Sequence, residues 1–163
     1  MMRSTIDPYY GQLRLDLSTH FATLAFHMFL AAKQQQLLDE ASLIDDAQER
    51  LAFLSDRARR VPPLPSELRS ETYRIAGCVS PVWLVCEQRD GHCFYQGDAD
   101  SPIVRALVIF LAEFFSGATP SEIVALDADP LATLGITRNL SPTRRNGLSA
   151  VRARIRGFAA AHV

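Results

Sequence analysis

The amino-acid sequence predicts an α+β domain in which a small antiparallel sheet of about three strands packs against several helices. Two helical patterns come first, a group of short β-rich segments follows, and helical patterns return after Gly97. Strands and helices segregated along the chain in this way are typical of the α+β class. With 163 residues, of which 48% are hydrophobic and 21% charged, the chain is long enough to bury one core without disulfides.

Composition argues against several classes of function. Seventeen Lys and Arg balance eighteen Asp and Glu, so neither nucleic acid nor an anionic membrane is the expected partner. Three widely spaced cysteines do not form a disulfide framework and favour a reducing compartment. The apolar stretch from Phe21 to Ala32 is too short to span a membrane and lacks the basic flank of a signal peptide. We therefore expect a soluble cytoplasmic domain.

The first two helical patterns precede the β-rich segments. An irregular arm over residues 1–12 leads to a helical pattern from Ser18 to about Glu40. Asp45 and Gln48 resemble a capping box at the start of the second helix. Three prolines end that helix, and its apolar stripe recurs at three- and four-residue steps through Ile44, Ala47, Leu51, Leu54, Ala58 and Val61.

Short segments rich in β-branched, aromatic and apolar residues predict the strands. Asp90 and Gly91 lie between the second and third segments and favour a tight hairpin, since Gly accepts the positive φ that such turns require. Strands joined by a tight turn are antiparallel neighbours. The three segments are Thr72–Ala76, Val82–Gln88 and Cys93–Gly97.

The later helices begin at capping residues followed by proline. Asp100 or Ser101 caps a helix that ends near Gly117 and is apolar over a wide arc, so it is expected to be central. A capping box from Thr119 to Glu122 opens the next helix. A short helical turn and a last long helix then begin at Asp129-Pro130 and Ser141-Pro142, the last with an inner face of Leu148, Val151, Ile155 and Phe158.

The cysteines are the main candidates for chemistry. Cys86 and Cys93 fall in strand segments, where a free cysteine is usually a small core residue. Cys78 instead lies between Gly77 and Pro81, in a connection expected at the surface. A reactive thiol also needs nearby positive charge, because the thiolate is the nucleophile. The residues alone leave Cys78 as either a reactive thiol or an unreactive loop cysteine.

Other types of site have little support. His20 and His27 share a helical face without a third ligand beside them, and no metal-binding or phosphate-binding motif is present, so we expect no metal and no resident cofactor. From Arg138 to the end there are six arginines and no acid. This charge favours a solvated helix face over a nucleic-acid patch, since interleaved aromatics are absent. Arg144 and Arg145 could lend positive charge to a nearby thiolate.

Residues 77–83, Gly-Cys-Val-Ser-Pro-Val-Trp, resemble the Gly-Cys-Gln-Ser-x-Val-Trp motif of the SufE/CsdE family of sulfur-acceptor proteins. The resemblance spans about Leu38 to Ala160. It divides the chain into an N-terminal extension of arm and helix over residues 1–36 and a SufE-like domain over residues 37–163. Three later segments agree in order and spacing, namely Gln96–Ser101, Thr119–Val124 and Leu140–Leu148.

The resemblance implies a fold similar to the IscU scaffold and a role as sulfur acceptor and activator for a pyridoxal-phosphate-dependent cysteine desulfurase of the SufS/CsdA type. Such a protein is not a free-standing enzyme: it takes persulfide sulfur onto Cys78 and passes it to a downstream iron–sulfur scaffold. The resemblance also implies that Arg144, or the neighbouring Arg145, favours the thiolate and that Asp100 tethers the resting loop. Val79 departs from the motif, which has glutamine at that position. The resemblance leaves open whether the chain forms a homodimer.

Three alternatives to sulfur transfer remain at this point. The chain could be an IscU-like binding module that regulates a desulfurase without carrying sulfur, or a nucleic-acid binder acting through its C-terminal arginines. It could also be a metal or cluster scaffold built from Cys78, Cys86, Cys93 and His92. Strand alternation argues against the scaffold, because adjacent His92 and Cys93 are expected on opposite faces.

Overall fold

The computed structural model describes residues 32–163. Residues 32–42 form helix α1, in which Leu37 and Ala41 are buried. The predicted arm and the beginning of the predicted first helix at Ser18 lie outside the described residues.

Helix α2 spans Ala47–Arg59, and its N-cap is Asp46 rather than the predicted Asp45. The backbone of Asp46 is extended, with φ −88° and ψ 131°, so its carboxylate can accept hydrogen bonds from the N–H groups of the first turn. These bonds come from Gln48 at 2.8 Å and Glu49 at 3.0 Å. The predicted N-cap was therefore wrong by one residue, and the helix itself was confirmed.

Strands β1, Val82–Arg89, and β2, His92–Ala99, form an antiparallel hairpin. The predicted turn is confirmed, since Asp90 and Gly91 both have positive φ, at 49° and 77°. The register places Cys86 opposite Tyr95.

The first of the three predicted strands, Thr72–Ala76, does not form within the described residues, so the sheet there has two strands rather than about three. Only an isolated bridge between Arg74 and Trp83 remains of it. The chain turns immediately before and after this bridge, and Gly77 takes a φ of 82°, so the segment cannot extend its pairing along β1.

Helix α3, Pro102–Phe115, is the centre of the fold, as predicted. Ten of its 14 residues are buried. It packs against β2 so closely that a Cβ at Gly97 would collide with the Val108 side chain. The N-cap is Ser101, one of the two residues predicted, and the chain leaves the helix through Gly117 at φ 87°.

The remaining helices complete the predicted α+β architecture. Thr119 and Glu122 form the predicted capping box of helix α4, Pro120–Ala125. Helix α5, Pro130–Thr133, and a 3-10 turn, Ile136–Asn139, lead to helix α6, Pro142–Ala160, which packs against α3, α4 and β1. Within residues 32–163, no helix is both long and apolar enough to cross a membrane.

Candidate functional site

Cys78 lies on a short loop that hydrogen bonds hold at both ends. At the start, the Ile75 N–H donates to the Val82 carbonyl over 2.8 Å. At the end, the Asp100 N–H donates to the Pro81 carbonyl over 3.1 Å. The loop therefore leaves and rejoins the sheet at fixed points, and the residues between them carry the thiol.

The thiol is half-buried against helix α6. The Cys78 Sγ donates a long hydrogen bond to the Gly147 carbonyl oxygen, 3.8 Å away. The next side chain, Val79, is 82% exposed. In the resting loop the thiol thus lies against the protein body while its neighbour faces solvent.

Two opposing effects act on the acidity of this thiol. Burial raises the pKa of Cys78, because desolvation disfavours the thiolate, and the positive charge of Arg74 lowers it by a smaller amount. Arg74 also forms an ion pair with Glu71, with Nη1 and Oε1 2.7 Å apart. The resting arrangement therefore favours the protonated thiol over the thiolate.

Arg144 lies three residues before Gly147 on α6, which places the two residues on neighbouring turns of one side of the helix. Its side chain is exposed, and its backbone N–H donates to the Ser141 hydroxyl at the helix start. The neighbouring Arg145 donates to the Leu140 carbonyl over 2.6 Å. The cation that acts on the Cys78 pKa is Arg74, which sequence reasoning did not single out, and the role of Arg144 stays a prediction.

Asp100 reaches the Cys78 loop through its backbone, by the hydrogen bond to Pro81 described above. Its carboxylate accepts a hydrogen bond from Arg69 Nη2 over 2.8 Å. The same guanidinium lies over the Trp83 ring, 4.4 Å from its centroid. The predicted tether role of Asp100 stays a prediction.

Asp98, which sequence reasoning also missed, is a buried acid beside the loop, with a relative exposure of 1%. Its carboxylate accepts from Arg105 Nε over 2.7 Å and from the Leu64 N–H over 3.0 Å, and Arg69 Nε lies 3.3 Å away. Arg105 also donates to the carbonyl of Ala58 in α2 and to that of Val61 just after the helix. The Asp98 cluster thus joins β2, α2, α3 and the segment that leads into the loop. The sequence signal that could have found it is the hairpin turn at Asp90-Gly91, because counting outward from that turn pairs Asp98 with Trp83.

The other two cysteines lie on one face of the sheet. Cys93 is fully buried, as predicted for a small core residue, and Cys86 is half-buried against the same core. Burial is the largest influence on both pKa values and raises them.

The metal-scaffold alternative finds no site in the described part of the chain. No group of three or more His, Cys, Asp or Glu side chains there is arranged to hold a metal ion. The His92 Nδ1 instead lies 2.8 Å from the Asp90 carbonyl oxygen in the hairpin turn, so the residues of this alternative are not brought together.

Residues 35–159 match the profile of the SufE family, described as an Fe–S metabolism associated domain. The chain belongs to the SufE family. An uncharacterized SufE-like protein of Rhizobium etli is 35% identical over 130 residues, which cover 77% of this chain and 88% of that protein. One from Rhizobium meliloti is 32% identical over 129 residues, covering 76% and 92%.

A solved structure agrees with the SufE-family fold. The solution structure of a hypothetical protein from Thermus thermophilus superimposes with a TM-score of 0.65, covering 80% of this chain and 95% of that one. The two sequences are 22% identical, so the similarity concerns the fold. Family membership gives the chain a role in Fe–S metabolism. The predicted boundary between residues 36 and 37 stays a prediction.

Proposed function

We propose that this SufE-family chain is a sulfur acceptor and activator for a pyridoxal-phosphate-dependent cysteine desulfurase. Cys78 carries the sulfur as a persulfide and delivers it to an iron–sulfur scaffold in the cytoplasm. The observation that supports this most is the position of Cys78, a free thiol on a loop rather than in a strand, half-buried beside an exposed Val79. The chain's part is to present and protect a thiol, and the partner supplies the cofactor chemistry.

The transfer step balances without an added oxidant or reductant. The Cys78 thiol first loses its proton to solvent, and the thiolate attacks the terminal sulfur of the desulfurase persulfide. A new S–S bond forms at Cys78 while the S–S bond at the desulfurase cysteine breaks. The electron pair of that bond leaves with the desulfurase cysteine, which becomes a thiolate.

The loop supports this step because the attacking sulfur must reach a site inside another protein. A side chain in a paired strand, such as Cys86, is held in place by the hydrogen-bond ladder between β1 and β2. The Cys78 loop is tied to the sheet at its ends and otherwise rests on α6 through the Cys78–Gly147 contact, so the thiol can move outward without breaking the sheet. Contact with α6 at rest also limits oxidation of the thiol, since susceptibility follows exposure and thiolate character.

Sulfur loading tests the proposal directly. The protein is mixed with a SufS/CsdA-type desulfurase and L-cysteine, and intact-mass and peptide mass spectrometry locate any added sulfur. We expect the wild type to gain one sulfur atom on Cys78 and the Cys78→Ser variant to gain none. Cys86→Ser is the matched control, since it removes the other half-buried thiol and should load normally. Equal loading of Cys78→Ser and the wild type would refute the proposal.

Desulfurase turnover separates sulfur transfer from regulation by binding alone. If Cys78 carries the sulfur, Cys78→Ser loses the stimulation of turnover that the wild type gives. Stimulation by Cys78→Ser, with no sulfur found on the wild type, would instead support the IscU-like binding module.

A further inference from the structure

Gly147 is the residue of α6 that the Cys78 thiol touches. A Cβ built at this position would lie 3.2 Å from the Cys78 Sγ, closer than an ordinary van der Waals contact. Gly147 is buried in the interior of the helix, where glycine is less favourable than alanine. The missing side chain thus leaves the space that the resting thiol occupies.

A second glycine of the same helix lacks this relationship. Gly157 is exposed, and a Cβ there would have no neighbour within 4 Å. Both residues lie within α6, where glycine is less favourable than alanine. The sulfur contact therefore gives a physical reason for glycine at position 147 that does not apply at position 157.

We propose that Gly147 is a positioning residue: it forms a notch in α6 that holds the Cys78 thiol at rest, and the thiol must leave this notch before it can accept sulfur. The consequence for sulfur transfer rests on the proposed function, whereas the notch itself does not. Because the loop is pinned at Ile75 and Pro81, release requires movement only of the residues between them. The fit of the notch then sets how readily the thiol becomes available.

The test fills the notch and measures how accessible the thiol becomes. In the full-length protein, Gly147→Ala should displace the Cys78 sulfur outward and increase its rate of alkylation by iodoacetamide several-fold. The pH profile of this rate should also move toward that of a free cysteine, whose pKa is about 8.5. Gly157→Ala is the matched control and should leave rate and profile unchanged.

Cys93 reports on unfolding in the same samples. It is 0% exposed, so it stays unlabelled as long as the core is intact. Faster labelling of Cys78 with Cys93 protected supports the notch. Unchanged labelling of Cys78 in Gly147→Ala, again with Cys93 protected, overturns it.

If alanine at position 147 also exposes Cys93, a double-mutant cycle tests whether the Gly147 notch holds the Cys78 sulfur. Gly147→Ala and Cys78→Ala are combined, and urea unfolding gives the stability of each variant. The notch predicts that alanine at 147 is less damaging once the sulfur is gone, and equal damage in both backgrounds overturns it. Alkylation needs no desulfurase, so it tests the notch independently of sulfur transfer. If the alkylation results support the notch but the wild type takes up no sulfur, the proposed function is refuted and the notch is not.

Discussion

The charge state of the Cys78 sulfur depends on its burial and, to a smaller extent, on a residue four positions earlier in the chain. Arg74 is the cation that lowers the pKa of Cys78, against the larger effect of burial. We therefore expect Arg74→Ala to raise the pKa of Cys78 further and to slow its alkylation at a fixed, mildly alkaline pH. Arg144→Ala is the matched control on α6 and should shift the pH profile less. A larger shift for Arg144→Ala would contradict this assignment and favour the arginine implied by the family motif.

The sequence predicted the position of the Cys78 loop but not the cation beside it, for a physical reason. Gly77 and Pro81 mark a loop by their own backbone preferences, so the position of Cys78 could be predicted locally. Arg74 was assigned to an extended strand, in which four residues span about 13 Å. The turn at Gly77, with φ 82°, breaks that extension and allows the guanidinium charge to act on the thiol.

At the scale of elements, the Asp98 cluster is the junction that fixes the segment before the loop. Asp98→Ala would leave Arg105 and the Leu64 N–H without their buried acceptor, so we expect a loss of about 3–5 kcal/mol in the free energy of unfolding. Asp100→Ala, which removes a carboxylate that is 52% exposed, should cost less than about 1 kcal/mol. Urea unfolding of both variants measures the difference, and similar losses would argue against the cluster as the main junction.

Elements defined by local signals were predicted well, and those defined by tertiary pairing were not. The starts of α3, α4 and α6 are each marked by a capping residue followed by proline, a signal that takes only a few consecutive residues. Thr72–Ala76 has the composition of a strand, but its pairing depends on where the chain turns afterward, and only the bridge from Arg74 to Trp83 forms. The partners of Asp98 were likewise unpredictable, because Arg69 and Arg105 come from distant parts of the chain.

At the scale of the whole molecule, the most predictable feature was a central apolar helix that other elements cover. The wide apolar arc of α3 requires cover on several sides, and the sheet, α2 and α6 supply it. Helix α1 docks through the buried Leu37 and Ala41 and also through a polar side chain, and the polar contact has no such sequence signal. Lys33 Nζ donates to the carbonyls of Glu113 and Ser116, over 2.8 and 2.6 Å, at the end of α3.

We expect this half-buried amine to give the stability of the fold a specific pH dependence. Burial lowers the pKa of Lys33 from 10.5 to about 8, and the charge of Glu113 offsets only part of that effect. Below pH 8 the lysine is protonated in both the folded and unfolded chains, and the burial penalty is present in full. Between about pH 8 and 10.5 the unfolded chain binds more protons, so the Lys33 contribution becomes more favourable as pH rises.

The three thiols act in the opposite direction at alkaline pH, because their pKa values are raised in the folded state and folding is therefore favoured less as pH rises. A comparison with Lys33→Met isolates the lysine, because both proteins carry the same thiols. We expect the stability of the wild type relative to Lys33→Met to increase by on the order of 3 kcal/mol from neutral pH to above pH ~10. Urea unfolding across this range measures it. A pH-independent difference would mean that Lys33 keeps its ordinary pKa and that its contacts with α3 act as hydrogen bonds alone.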